Sequence, residues 1–309
     1  MIYNLYLLYL KNYLLICIKL ISSWFYIMKI IHTIATLQAE LQACKENNMT
    51  VGLVPTMGAL HKGHISLVKK SVADNDVTVV SVFVNPTQFN NQNDLLTYPR
   101  TLNEDALLLK DKGVSIVFAP SDSEMYPEPD NREFSYAPLD TVMEGEFRPG
   151  HFNGVCQVVS KLFSYVCPDR AYFGEKDFQQ LAIVRRMASE LFPNLEIVGC
   201  PIIRENDGLA LSSRNARLTP KDREEALTIS KTLFASVDFA QSHSLAETYQ
   251  FVIDSINANS ALKLEYFKIV NGETMQQVSQ WEDASYVVGC ITVYCGNDVR
   301  LIDNITYRK

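Results

Sequence analysis

The chain alternates short, unbroken apolar runs with stretches whose apolar residues recur every three or four positions. From Met28 onward, MKIIH followed by TIATLQAEL predicts a strand, a turn and an amphipathic helix. VGLVPT (51–56) reads as a buried strand, and Ile65, Val68 and Val72 mark one face of the helix expected after His64. VTVVSVFV (77–84) is too continuously apolar to keep one face in water, so it fits a parallel strand covered on both sides. A helix over 101–112 leads into a further strand, VSIVFAP, at 114–120. Strand, helix and strand therefore recur, which predicts an α/β fold built on a Rossmann-like parallel sheet.

Residues 121–150 break this rhythm with six prolines or glycines and are expected to form loops and short pieces over the sheet edge. Regularity returns with Val155, Val158, Val159, Leu162, Phe163 and Val166 along one helix face, then strand RAYFG, a helix over 177–192 and strand LEIVGCPII. Beyond residue 203 the character changes. Thr219-Pro220 opens a helix with a cap and a first-turn proline, and strand-like runs occupy 262–270, 285–295 and 299–307. The expected division is a Rossmann-like domain at 28–202 and a smaller α+β domain at 203–309, with no internal repeat.

The first 27 residues differ from the rest, being rich in Leu, Ile and Tyr and nearly free of acid. Lys11 and Lys19 cut the run into pieces shorter than the roughly 20 residues that a spanning helix needs. No small-residue cleavage site follows, as a signal peptide requires. Three readings stand: a hydrophobic extension upstream of a true start at Met28, a membrane anchor, or an additional structured tail. The first is the expectation, because the ordinary strand, turn and helix pattern begins at Met28.

Composition narrows the class of partner. A chain of 309 residues with 47% hydrophobic and 20% charged content can bury a sizeable core unaided. Its 28 basic against 35 acidic residues argue against a nucleic-acid backbone as main partner. Seven cysteines, an odd number without a CxxC, read as reduced structural thiols of a cytoplasmic protein. Cys290 and Cys295 would face opposite sides of a regular strand, so no zinc site is expected there.

Candidate chemistry concentrates in PTMGALHKGH, residues 55–64, between a buried strand and an amphipathic helix. Gly58 and Gly63 remove side chains where a phosphate chain could approach the backbone, and the helix N-terminus offers N–H groups and partial positive charge. His61 and His64 add imidazoles that can donate to phosphate oxygens. Their spacing of three is not the i, i+4 pair of a helical metal site.

An HxGH element after a buried strand resembles the nucleotidylyltransferase and class I aminoacyl-tRNA synthetase superfamily. The whole decapeptide narrows this. Together with FVNPTQF (83–89), YPRT (98–101), HFNGV (151–155), FGEKDFQQL (173–181) and GLALSSRN (208–215), it resembles the pantoate–β-alanine ligase family over some nine-tenths of the chain. The resemblance implies an ATP-dependent ligase forming a C–N bond. Pantoate is adenylated with release of pyrophosphate, and β-alanine then displaces AMP to give pantothenate.

Carried over position by position, the resemblance assigns Met57, Gly58, Ala59, Leu60, His61, Lys62, Gly63 and His64 to ATP, with His64 as proton donor. It gives Gly174, Glu175, Lys176 and Asp177 to ATP as well, with Lys176 on phosphate and Asp177 toward the ribose. Ile203 would meet adenine through its backbone, and Leu211, Ser212, Ser213 and Arg214 would close over the phosphates. Arg214 supplies a planar, permanently charged fork. His64, His61, Lys176 and Arg214 are the expected catalytic set. Gln88 and Gln180 would hold pantoate, Gln88 also edging the β-alanine position, with Asn85 organising the pocket. Glu104 and Asp105 match acidic positions that reach Mg²⁺, the equal alternative being an exposed acidic helix face with magnesium bound mainly through substrate phosphates. Leu211 departs from the methionine usual in the family, an apolar exchange of similar volume.

The resemblance further implies a homodimer, and residues 203–309 are expected to act as a lid with LSSR near the hinge. His32, His151 and His243 are read as structural, His151 also shaping the pocket wall. Two readings compete with the ligase. Another nucleotidylyltransferase with a phosphorylated acceptor would call for Arg or Lys in place of Gln88 and Gln180. A membrane-tethered module with lost chemistry is opposed by the intact HxGH, GEKD and SSR elements.

Overall fold

The computed structural model describes residues 28–296 and 298–309, so the expectations for residues 1–27 lie outside the described residues. Strand β1 (Lys29–Ile31) leads to helix α1 (Ile34–Glu46), which starts where the Thr33 hydroxyl accepts the Thr36 N–H. Strands β2 (Val51–Thr56) and β3 (Val77–Val82) flank helix α2 (Lys62–Asp74). Helix α3 (Leu102–Leu109) precedes β4 (Ile116–Phe118), and helix α4 (His151–Val166) precedes β5 (Arg170–Gly174). Helix α5 (Phe178–Leu191) and β6 (Glu196–Cys200) complete the first unit.

The six strands form one sheet in the order β1-β4-β3-β2-β5-β6, and each pair is parallel. From β2 the chain winds outward through β3 and β4, then reverses to β5 and β6. The reversal lies between β2 and β5, so the loops after Thr56 and Gly174 open into one crevice at the carboxyl edge of the sheet.

Strand alternation supplies two cores. Leu53, Val79, Phe118 and Phe173 pack with α1, α4 and α5 on one face, while Val54, Val80, Val117 and Tyr172 pack with α2 and Leu109 on the other. Both faces are covered, which is why these strands read as continuous apolar runs. Helix α4 is buried nearly all round, including all six of the apolar positions expected on its face.

Helices α6 (Pro220–Ala240) and α7 (Leu245–Asn257) lie against an antiparallel sheet of β7 (Leu262–Asn271), β8 (Val287–Cys295) and β9 (Val299–Arg308). The Thr219 hydroxyl accepts the Asp222 N–H and Pro220 occupies the first turn, as the sequence predicted. Cys295 joins the core under the two helices. Cys290, on the opposite face, packs with Tyr266, Met143 and Phe178 and seals this sheet against the parallel-sheet unit. The expected strand 195–203 is shorter than the pattern suggested. It ends at Cys200 because Pro201 has no N–H for the ladder, and residues 201–203 are released to wall the crevice. Among the described residues no helix is long and apolar enough to cross a membrane.

Candidate active site

The helix after β2 begins earlier than the apolar period indicated, at Lys62, so the histidine motif forms its cap and first turn. His61 is the N-cap and its Nδ1 accepts the Gly63 N–H at 3.1 Å; His64 Nδ1 accepts the His61 N–H at 3.2 Å. A backbone amide only donates, so both rings hold Nδ1 bare and carry their proton on Nε2. Burial, reinforced by Lys176, lowers the His61 imidazole to about 4. Burial, then His61 and Lys176, lowers His64 to about 3. Near neutrality the pair is uncharged, with ring centroids 4.1 Å apart, and each ring has one Nε2–H to donate.

The loop before this cap is held from outside the crevice. Gly58 and Ala59 take positive φ, 79° and 49°, and the Gly58 N–H donates to Thr56 Oγ1 at 3.1 Å. The Asp105 carboxylate receives the Ala59 N–H at 3.0 Å on Oδ2 and the Leu60 N–H at 2.7 Å on Oδ1, with Thr101 Oγ1 at 3.3 Å. Asp105 is buried and Glu104 is exposed on the far side of the same turn. The expected metal pair is thus divided. Asp105 spends both oxygens on fixing the loop, Glu104 does not join it, and no group of three or more potential ligands assembles among the described residues.

A cavity of about 210 Å³ lies at the crevice. It brings together Met57, His61, Gly63 and His64 from the first loop, Asn85 and Gln88 from the turn after β3, and Gly174, Lys176, Asp177 and Gln180 from the β5 end. Ile203, Leu211, Ser212, Ser213 and Arg214 close the remaining side. Gly58, Ala59, Leu60, Lys62 and Glu175 do not line it. The first three shape the loop behind, Lys62 is exposed, and the Glu175 N–H is bound to the Cys200 carbonyl. The Ile203 carbonyl accepts the Leu211 N–H at 3.0 Å, so Leu211 is fixed to the crevice wall despite its departure from methionine.

Polarity is divided within the cavity. Val155, Val158, Val159 and Leu162 of α4, with Phe83, form an apolar wall. Facing it, Gln88 donates to Met57 Sδ at 3.0 Å and accepts from Asn85 Nδ2 at 3.1 Å. Asn85, 1% exposed, also donates to the Gly154 carbonyl and accepts from Tyr126 and Thr87, so it positions Gln88 and has no spare capacity for a ligand. Gly154 is needed there because a Cβ would sit 2.4 Å from the Thr87 carbonyl oxygen. The Lys176 ammonium forms no hydrogen bond or ion pair with any described residue, which leaves it available to an anion.

Several contributors have no role assigned from the sequence, although Tyr98 stands in the YPRT motif. Asp94 accepts from both Arg214 and Arg217 at 2.9 Å, and Tyr98 Oη lies 3.2 Å from Ser213 Oγ; together they dock the 211–217 segment. Asn304 of β9 donates to the Glu175 and Lys176 carbonyls, pinning the GEKD turn. Buried Glu144 receives two hydrogen bonds from Arg300, at 2.7 and 2.8 Å, and one from Tyr266. Burial alone would raise the Glu144 carboxyl, but Arg300 holds it down to about 2.

Comparison with known proteins now decides the family. The model of the family described as pantoate-beta-alanine ligase matches residues 29–306. The chain belongs to the pantoate–β-alanine ligase family. It is 67% identical over 282 residues to the pantothenate synthetase of Bacteroides thetaiotaomicron, covering 91% of this chain and all of that protein. It is 43% identical over 286 residues to the Clostridium botulinum pantothenate synthetase, with 91% and 100% covered. Among solved structures, the pantothenate synthetase of Thermus thermophilus superposes with a TM-score of 0.86 at 43% identity, covering 91% of this chain and 100% of that one. A Francisella tularensis pantoate-beta-alanine ligase, solved as a complex with β-γ ATP and β-alanine, gives 0.76 at 36% identity over 91% of this chain and 98% of that one. The protein is a ligase with the fold of these relatives.

Proposed function

We propose that this ligase joins pantoate to β-alanine through a pantoyl adenylate, converting ATP to AMP and pyrophosphate. The observation that carries this reading is the convergence on one cavity of two neutral Nε2–H donors, an unpaired ammonium, a guanidinium, two amides and an apolar wall. The cationic and N–H donors suit a triphosphate. The branched carbon skeleton of pantoate fits the α4 wall, while Gln88 and Gln180 serve its hydroxyl and carboxylate oxygens.

In the first step a pantoate carboxylate oxygen attacks the α-phosphorus and pyrophosphate leaves. In the second the β-alanine amine attacks the acyl carbon, AMP leaves and the nitrogen loses a proton. Alignment and charge stabilisation supply most of the catalysis. Lys176 and Arg214 offset charge on the phosphates, and His61 and His64 donate to them. A neutral imidazole is a hydrogen-bond donor here, so His64 acts by holding phosphate oxygen rather than by releasing a proton.

Mg²⁺ enters as part of the nucleotide substrate, held by its phosphates and water. Asp105 and Glu104 do not fit a protein cage for it, because neither lines the cavity and Asp105 faces the Ala59 and Leu60 amides. Residues 203–309 serve as a lid whose closing segment is docked by Asp94 and Tyr98. The free thiols at Cys156, Cys200, Cys290 and Cys295 are buried and support a reducing, cytoplasmic setting. A homodimer is carried over from the resemblance.

The test is AMP formation from MgATP by the full-length protein and by protein starting at Met28, with pantoate and β-alanine supplied together or singly. Steady AMP production only with both acids supports the two-step ligase and a dispensable extension. Folded, ATP-binding protein that turns over neither acid would remove the acceptor assignment.

A further inference from the structure

A smaller cavity, of about 40 Å³, adjoins the main one and shares Lys176, Asp177 and Gln180 with it. Its own lining includes Glu144, Arg148, His151, Tyr266 and Asn304, so it is closed on one side by the antiparallel sheet. At roughly 10–15 Å³ for each water on this measure, the space holds about three waters, or a carboxylate with its adjoining carbon.

Arg148 is the unassigned cation of this cavity. Its Nη1 donates to His151 Nε2 at 3.0 Å and reaches Glu144 Oε2 at 3.4 Å; its Nε and Nη2 donate to no other described residue. Glu144 is its ion-pair partner but is shared rather than dedicated to it. That carboxylate is already matched by Arg300 and also receives the Tyr266 and Thr292 hydroxyls at 2.7 and 3.0 Å. The remaining acid of Arg300 is Glu265, and Asp303 is taken by Arg204 at 2.7 and 2.8 Å. A half-buried guanidinium is therefore held in place with unused donors, a state that favours an anionic ligand.

Its position connects to the acyl site. Because Arg148 can only donate, His151 Nε2 accepts and Nδ1–H donates to the Gln88 carbonyl at 2.8 Å. A ligand with a carboxylate on Arg148 and an amine two carbons further on would pass Gln180 and present that amine beside Gln88. We propose that this cavity receives the carboxylate of β-alanine, with Arg148 as its counter-charge and the amine directed into the main cavity. The proposal rests on the ligase reading and names the recognition element of its second substrate.

The experiment compares β-alanine with its uncharged-end analogue 3-aminopropanamide, measuring kcat/KM for each at saturating pantoate and MgATP in the unaltered protein and in Arg148→Gln. Pantoate-dependent exchange between pyrophosphate and ATP, run on the same preparations, reports the adenylation step. The unaltered protein should prefer β-alanine, and Arg148→Gln should cut that preference by about 10- to 100-fold. A purely structural role lowers both amines equally, so an unchanged ratio with measurable exchange overturns the proposal alone. Absence of exchange in the unaltered protein overturns the ligase reading and this one with it. Should Arg148→Gln not fold, Arg148→Lys is expected to raise the KM for β-alanine more than that for the amide, and equal changes for the two count against the assignment.

Discussion

His64 caps His61, and His61 caps the turn that carries His64: the two Nδ1 atoms accept the His61 and Gly63 amides at 3.2 and 3.1 Å. These two hydrogen bonds start helix α2, fix both tautomers and leave two Nε2–H groups free to donate. The sequence motif reads as two free imidazoles, whereas the structure spends half of each on the backbone.

This predicts an unusual titration. The folded imidazoles lie at about 4 and about 3, below an ordinary value of 6.5, so the neutral forms are stabilised by folding. The unfolded chain binds more protons in this interval. Stability from these groups is complete above pH 6.5 and declines as pH falls toward 4 and then 3, by up to about 1.4 kcal/mol per pH unit for each ring. Nitrogen-15 NMR at about pH 6, between the folded and ordinary values, should show both rings neutral and protonated on Nε2. A protonated ring at that pH sinks the account.

Asp105 offers a way to separate loop support from metal binding. Asp105→Asn leaves one acceptor for the two amides of Ala59 and Leu60, and a buried N–H without its partner costs about 1–3 kcal/mol. Affinity for ATP should fall by about 10- to 100-fold, while the Mg²⁺ concentration for half-maximal rate stays unchanged. A many-fold rise in the Mg²⁺ requirement would instead make Asp105 a metal ligand.

Gly154→Ala tests the contact between α4 and the turn that bears Gln88. Its new Cβ would meet the Thr87 carbonyl oxygen at 2.4 Å and the Gln88 Cα at 2.8 Å. Backbone cannot yield as a flexible side chain does, so thermal stability should drop by about 1–3 kcal/mol and the KM for pantoate should rise. Unaltered pantoate kinetics with full stability would show that the turn is free to move.

Asp94 tests the docking of the closing segment. With Asp94→Ala, Arg214 and Arg217 both lose their 2.9 Å partner. Amide exchange over 203–217 should quicken in the free protein, and ATP with pantoate should still slow it in the unaltered chain. Exchange that ignores both the substitution and the ligands would rule out closure of this segment.

Much of the architecture was legible because it is local or periodic. Both-face burial makes strands such as 77–84 continuously apolar, and the regular strand pattern predicted that Cys290 and Cys295 would face opposite ways. The family motifs lie at strand ends, where a parallel sheet gathers its loops, so most of the cavity lining could be named in advance. The sequence by itself thus determined the two sheets, the loops that line the crevice and the family.

Only the tertiary structure decided what each side chain has left to offer once its neighbours are satisfied. Asp105 reads as a metal candidate until two amides from 45 and 46 residues away occupy its oxygens. Asn85 reads as a residue that organises the pocket, but the four partners that use all its capacity come from packing. Conversely, Arg148 lies three residues before HFNGV and within none of the motifs that carry the resemblance. Its Nε and Nη2 are left without partners among the described residues, while Arg300, 152 positions later in the chain, shares Glu144 with Arg148 Nη1. Hydrogen-bonding capacity is finite and is distributed in space, so residue type and spacing give the chemistry available, and packing decides how much of it remains free.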